Sequence, residues 1–187
     1  YASHVRLPQL VQVVDKKIDS VLELGGGFGN IAFHYARRGA SAVVLDTDVS
    51  CLASARSRNV RIETACHDIN LPLSWNDGSF DLVTCTGALH YGYIHDVAAI
   101  IREMTRVSRR YVLIDVLSRY SPYRLMERLY NPAYNPHTYS SRAARALIAR
   151  YPLLIRGRMG TKTAPFLATS FPFTGKTIYF FLEKERQ

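Results

Sequence analysis

The chain has 187 residues, with 24 Lys/Arg against 15 Asp/Glu and a formal net charge of +9. That length suits one domain, residues 1–187, in which folding buries about 70% of the surface an unfolded chain exposes. A composition of 48% hydrophobic and 21% charged residues excludes a disordered chain, and the absence of any run of about 18 apolar residues excludes a membrane-spanning helix. The first residue is Tyr1, which leaves room for a preceding segment and any targeting signal in it.

The charge is unevenly placed. Residues 1–101 carry 8 Lys/Arg and 10 Asp/Glu, whereas residues 102–162 carry 13 and 3. A near-neutral part beside a strongly basic one suggests a core with a basic face. The three cysteines, Cys51, Cys66 and Cys85, include no CxxC pair. This argues against a disulfide framework or a zinc site and points to a reducing cytoplasm.

Short apolar runs alternate with helical stretches over the first two-thirds. Strands are predicted at 20–24, 42–45, 60–64, 80–84 and 111–116. Helices are predicted at 30–38, stopped by Gly39, at 50–58, and from a cap at Asp96 to about Val107. Residues 118–139 hold three of the eight prolines and five tyrosines, which suits an irregular insertion. Ser140 or Ser141 can cap a helix reaching about Arg150. Strands near 153–158 and 177–183 follow, joined by a connection with Gly160, Pro165, Pro172 and Gly175. The expected fold is α/β: a Rossmann-like, doubly wound, seven-stranded, mostly parallel sheet closed by a C-terminal antiparallel hairpin.

The most informative stretch is Val21-Leu-Glu-Leu-Gly-Gly-Gly-Phe-Gly-Asn30. A strand running into glycines at 25, 27 and 29 and then into a helix brings backbone N–H groups close to a ligand. The dinucleotide pattern G-x-G-x-x-G would need its last glycine at Asn30, so the match fails there. G-x-G-x-G suits a nucleoside without a pyrophosphate; the plain alternative is a tight turn that binds nothing. Asp46 ends the second strand, where a carboxylate can accept both ribose hydroxyls; Asp48 competes for that role. Asp68 follows the third strand and could take an adenine amino group while Ile69 packs on the ring. An Asx turn is the competing reading, since Asn70, Leu71 and Pro72 come next.

In this order and spacing, VLELGGGFGN, VVLDTD, HDINLPL, GSFDLVTCTGALHY and REMTRVSRRYVLIDV resemble the class I S-adenosylmethionine-dependent methyltransferases. The likeness is to the small-domain, ubiquinone/menaquinone and natural-product type, over about residues 18–117. The resemblance implies S-adenosylmethionine as cofactor and S-adenosylhomocysteine as product. It implies binding by Gly25, Gly27, Gly29, Asp46 with Thr47, and Asp68 with Ile69. Glu23 matches the acidic position of the first motif, and Thr86 and Gly87 would border the methionyl group. One departure is Val107-Ser-Arg-Arg-Tyr111, which replaces the family's Pro-Gly-Gly entry to strand five.

A sulfonium methyl is already electrophilic, so the protein must align an acceptor and, for a hydroxyl or carbon acid, remove a proton. His90, Tyr91, Tyr93 and His95 cluster after strand four; His90 and Tyr91 are the catalytic candidates, with His137 and Tyr139 behind them. Passive packing is the alternative for each, and many acceptors need no base. His34 and Trp75 read as packing residues, and Tyr1 and His4 as parts of an N-terminal lid. Arg119, Arg124, Arg128, Arg142 and Arg145, interleaved with Tyr120, Tyr123, Tyr130 and Tyr134, read first as a cap over an acceptor pocket, with residues 118–139 as the insertion that closes it. The expected partner is a small molecule, acidic or not. Nucleic acid ranks second, because no Asn-Pro-Pro-Tyr motif is present and Cys85 lacks the preceding proline of RNA cytosine-C5 enzymes. A non-catalytic cofactor-binding protein is the third reading.

Overall fold

Both faces of the central strands are covered, which is why their sequences read as nearly unbroken apolar runs. The computed structural model describes residues 17–58, 60–121, 126–127, 129–131, 133, 135–160 and 176–185. Among them the strands are β1 (Ser20–Leu24), β2 (Ser41–Asp46), β3 (Glu63–Cys66), β4 (Phe80–Cys85), β5 (Ser108–Ser118), β6 (Thr138–Tyr139), β7 (Leu153–Gly160) and β8 (Thr177–Lys184). The helices are α1 (Asn30–Ala36), α2 (Val49–Arg56), α3 (Val97–Val107) and α4 (Ser141–Ile148). The strand order is β3-β2-β1-β4-β5-β8-β7. β1 to β5 pair in parallel, and β8 runs antiparallel to both β5 and β7. This is the expected sheet with one addition: the two-residue β6 lies parallel to the end of β5.

Alternation along the strands divides the core. Leu22, Leu24, Val83, Cys85, Val112 and Ile114 face α3 and α4. Val21, Leu82 and Leu113 face the other way, packing with Ile31 and Tyr35 of α1. Ala42 and Val44 pack there with Ala32 and with Leu52 of α2. α3 forms where the sequence repeats apolar residues at Val97, Ile100, Ile101, Met104 and Val107, one face of a helix. Its start is set by Asp96, whose carboxylate accepts from the N–H groups of Ala98 and Ala99 at 2.8 and 3.1 Å. Ser140 caps α4 by accepting from Ala143 N–H at 3.1 Å.

Two expected elements move. The third strand falls at Glu63–Cys66 rather than 60–64, because β2 pairs with it from Glu63 onward. The alternating Val60 and Ile62 instead pack against Ala42, Val44 and Leu52. The fifth strand begins at Ser108, directly after α3, so the segment 108–111 is strand rather than turn. Arg109 there reaches Asp81 at 3.0 Å, on the opposite edge of the sheet from the glycine loop. Trp75 packs edge-on against Phe80 as a structural anchor. Tyr1, His4, Tyr123, Arg124, Arg128, Tyr134, Pro165, Pro172 and Gly175 lie outside the described residues.

Candidate functional site

The carboxyl ends of β1, β2 and β3 meet at a cleft of about 300 Å³. Gly25 comes from the end of β1, Asp46 and Thr47 from the end of β2, and Asp68 and Ile69 from the turn after β3. Gly25 has φ +55, and a Cβ there would stand 2.7 Å from Ala88 Cβ. Only glycine combines that backbone with so close an approach to the segment after β4. Asp46 ties the loop to the cleft: its Oδ2 accepts from Gly27 N–H at 2.7 Å and its Oδ1 from Asp48 N–H at 2.9 Å. Asp48 is already engaged as the α2 cap, accepting from the N–H groups of Ser50 and Cys51. Hydrogen bonds from Ser50 and Cys51 hold its carboxyl down at about 2. Asp46 therefore stands on the cleft wall, whereas Asp48 caps the helix.

Asp68 forms the Asx turn and also stands on the cleft wall. Its Oδ1 accepts from the backbone and side-chain nitrogens of Asn70 at 2.9 and 2.8 Å. These bonds hold its carboxyl below the usual range. Asn70 also donates to Tyr93 O at 3.1 Å and accepts from His95 N–H at 2.9 Å. It thereby staples the turn after β3 to the segment after β4. His67 and Asn70 complete the wall with Tyr93 and His95. Neither His67 nor Asn70 stood out in the sequence; only a polar run beside Asp68 could have marked them.

Other expected residues stand behind the wall. Glu23 is 3% exposed and accepts from Ala32 N–H at 2.7 Å and Ile31 N–H at 3.4 Å, holding the start of α1. Burial pushes its carboxyl up to about 7 against the pull of those two donors. Gly29 caps α1 at φ +65, with a Cβ position 2.9 Å from Val44 Cγ2, so it sets how closely α1 packs on β2. Gly27 reaches the cleft through Asp46, and Thr86 and Gly87 directly follow β4 without lining the cleft. Gly87 N–H donates to Asp115 Oδ1 at 2.8 Å. Asp115 is a buried acid inside the apolar run of β5, and burial pushes its carboxyl up to about 7. An acid among Val, Leu and Ile was the signal that could have found it.

His90 and Tyr91 stand beside the cleft rather than on its wall. Their rings are 4.5 Å apart, and Tyr91 stacks on Tyr93 at 5.4 Å and 11°, so an aromatic row leads into the cleft through Tyr93. His137 docks the end of the 118–139 segment here, donating from its N–H to His90 O at 3.0 Å and lying 2.9 Å through Nε2 from Ile94 O. Cys85 is fully buried, and burial pushes its thiol well up, which suits packing rather than nucleophilic attack.

The methyltransferase domain profile matches residues 21–110, a span that holds the glycine loop and both cleft acids. The chain carries a methyltransferase domain. Such a methyltransferase uses S-adenosylmethionine as methyl donor. No curated protein sequence matches this methyltransferase. Its fold is shared with the magnesium protoporphyrin IX methyltransferase of Synechocystis, solved with bound S-adenosylhomocysteine, at 12% identity and TM-score 0.72, covering 98% of this chain and 82% of that one. It is shared equally with an S-adenosylmethionine-dependent methyltransferase from Mesorhizobium loti, at 19% identity and TM-score 0.72, covering 96% and 97% of the two chains. YcgJ of Bacillus subtilis aligns at 15% identity and TM-score 0.72 over 98% and 99%.

Proposed function

We propose that this methyltransferase transfers the methyl group of S-adenosylmethionine to a small-molecule acceptor entering over residues 86–95. The observation that carries the reading is the cleft itself, which gathers Gly25, Asp46 and Asp68 at the ends of three adjacent parallel strands. The residues fit the donor chemically. A carboxylate at the end of β2 suits two ribose hydroxyls, and a second carboxylate above the apolar Ile69 suits an amino-bearing ring. Gly25 leaves backbone exposed on the wall with no side chain in the way.

Asp46 is the residue for the ribose, Asp68 with Ile69 for the adenine, and Thr47 borders the former. Thr86 and Gly87 border the methionyl end. Glu23, Gly27 and Gly29 hold the loop in shape from behind. Bound S-adenosylmethionine supplies an electrophilic methyl on a sulfonium. For a hydroxyl or carbon-acid acceptor, His90 is the candidate proton acceptor, with Tyr91 packed on it; an amine acceptor needs neither. Residues 118–139 serve as the acceptor cap, which the docking of His137 on His90 and Ile94 supports. Three free cysteines and the absence, among the described residues, of a helix long and apolar enough to cross a membrane are compatible with a cytoplasmic site of action.

Calorimetry of the full chain with S-adenosylmethionine and S-adenosylhomocysteine tests the reading. Saturable one-site binding of both is expected, and a chain that binds neither would overturn it.

A further inference from the structure

Two groups of arginines stand out within the basic segment 102–162. Arg106 is paired with Glu103 and Asp77, Arg109 with Asp81 and Arg156 with Glu183. These arginines serve the fold. Arg142, Arg145 and Arg158 have no carboxylate partner among the described residues. Yet all three line one cavity of about 460 Å³, together with Ser118 and Tyr120.

The location is informative. Ser118 ends β5, three residues beyond Asp115, so the cavity lies about 10 Å along the strand from the carboxylate that holds Gly87. That is the same edge of the sheet as the donor cleft. α4 starts here, and its first turn carries no acidic residue but does carry Arg142. A cation at that end of a helix opposes the helix dipole. Arg145, three residues on, repels Arg142 across the same helix face, and Arg158 arrives from β7. Each feature costs local stability, and no ion pair among the described residues engages the three arginines. Residues that violate local rules without compensation mark places where function dictates the choice.

We propose that this cavity binds an anionic group, a carboxylate or a phosphate, carried by the methyl acceptor. Guanidinium forks take either group with paired N–H donors. The assignment rests on the methyl-transfer reading above and narrows it to acidic acceptors. A small ligand fits better than RNA, because the three arginines converge on one cavity from a helix and a strand. They do not run in a row that a phosphate backbone could follow.

The test uses the full chain labelled with nitrogen-15 and reads the side-chain Nε–H signals of its arginines. Inorganic phosphate is titrated in one arm and succinate in the other, which separates the two anions. Saturable shifts of the Arg142, Arg145 and Arg158 signals are expected in at least one arm. Half-saturation should rise roughly tenfold or more in Arg142→Gln/Arg145→Gln, and separately in Arg158→Gln. Affinity for S-adenosylhomocysteine should stay within about twofold in both variants, since none of these residues touches the donor cleft. Shifts that grow linearly in both arms, or identical curves in the variants, would overturn the site while leaving donor binding intact. A site that saturates only with a single-stranded RNA oligomer, with steep salt dependence, would overturn the small-acceptor assignment. Phosphate saturation in a chain that fails to bind S-adenosylhomocysteine would remove the acceptor from the proposal.

Discussion

Asp46 does two things at once, shaping the glycine loop through Gly27 and presenting a carboxylate to the cleft. Asp46→Ala should therefore weaken S-adenosylhomocysteine binding by at least roughly tenfold, about 1.4 kcal/mol, as measured by calorimetry. Asp48→Ala is the contrast: it removes the α2 cap and lowers stability with affinity preserved. Equal losses of affinity in the two variants would refute the division of labour. Gly25→Ala should be worse than either, because the added methyl meets Ala88 Cβ at 2.7 Å in a backbone region that suits glycine. A lowered melting temperature together with lost binding is expected; wild-type binding by this variant would show that the loop relaxes away from Ala88.

The helices carry a different lesson. α3 and its cap at Asp96 were legible in the sequence because apolar spacing and a capping residue agree, and both are local properties. β3 was displaced because Val60 and Ile62 alternate like a strand but spend their apolar surface on the α2 side of the core. Alternation reports burial, and pairing alone decides where a strand starts. α4 is the element whose sequence works against its own stability. Arg142→Glu should replace dipole conflict and repulsion from Arg145 with two favourable terms, a gain of about 0.5–1 kcal/mol and roughly 2 °C in melting temperature. A loss of stability in thermal denaturation would show that Arg142 supports the fold after all.

At the scale of the whole molecule, the sheet carries two buried acids on one face, Glu23 and Asp115, at opposite sides of β4. Burial raises both to about 7. Between the ordinary carboxylate range and pH 7, the folded chain keeps protons that the unfolded chain has released. Stability therefore falls as the pH rises through that window, and the loss is complete above it. His34, held below its usual range by burial and by Arg38, pulls the other way up to about pH 6.5. Comparison with variants cancels that contribution. The drop in melting temperature between pH 5 and pH 8 should shrink in Asp115→Asn and in Glu23→Gln, and parallel curves for variant and wild type would refute the linkage. Three arginines of the basic segment, Arg106, Arg109 and Arg156, neutralise Asp77, Asp81, Glu103 and Glu183, and three others, Arg142, Arg145 and Arg158, line one cavity.

Residue order was enough to specify the strand–loop–helix rhythm, the parallel sheet with its closing hairpin, and the placement of Gly25, Asp46 and Asp68 at strand ends. Each depends on burial periodicity and turn chemistry within a few residues, and parallel pairing then brings successive strand ends to one edge. The staple from Asn70 to Tyr93 and His95, the retreat of Glu23 behind the loop, the Asp115–Gly87 link and the convergence of Arg142, Arg145 and Arg158 were decided only by the tertiary structure. Each joins atoms separated along the chain by a length that no local pattern encodes. Its partners become neighbours only when hydrophobic burial has packed helices against both faces of the sheet.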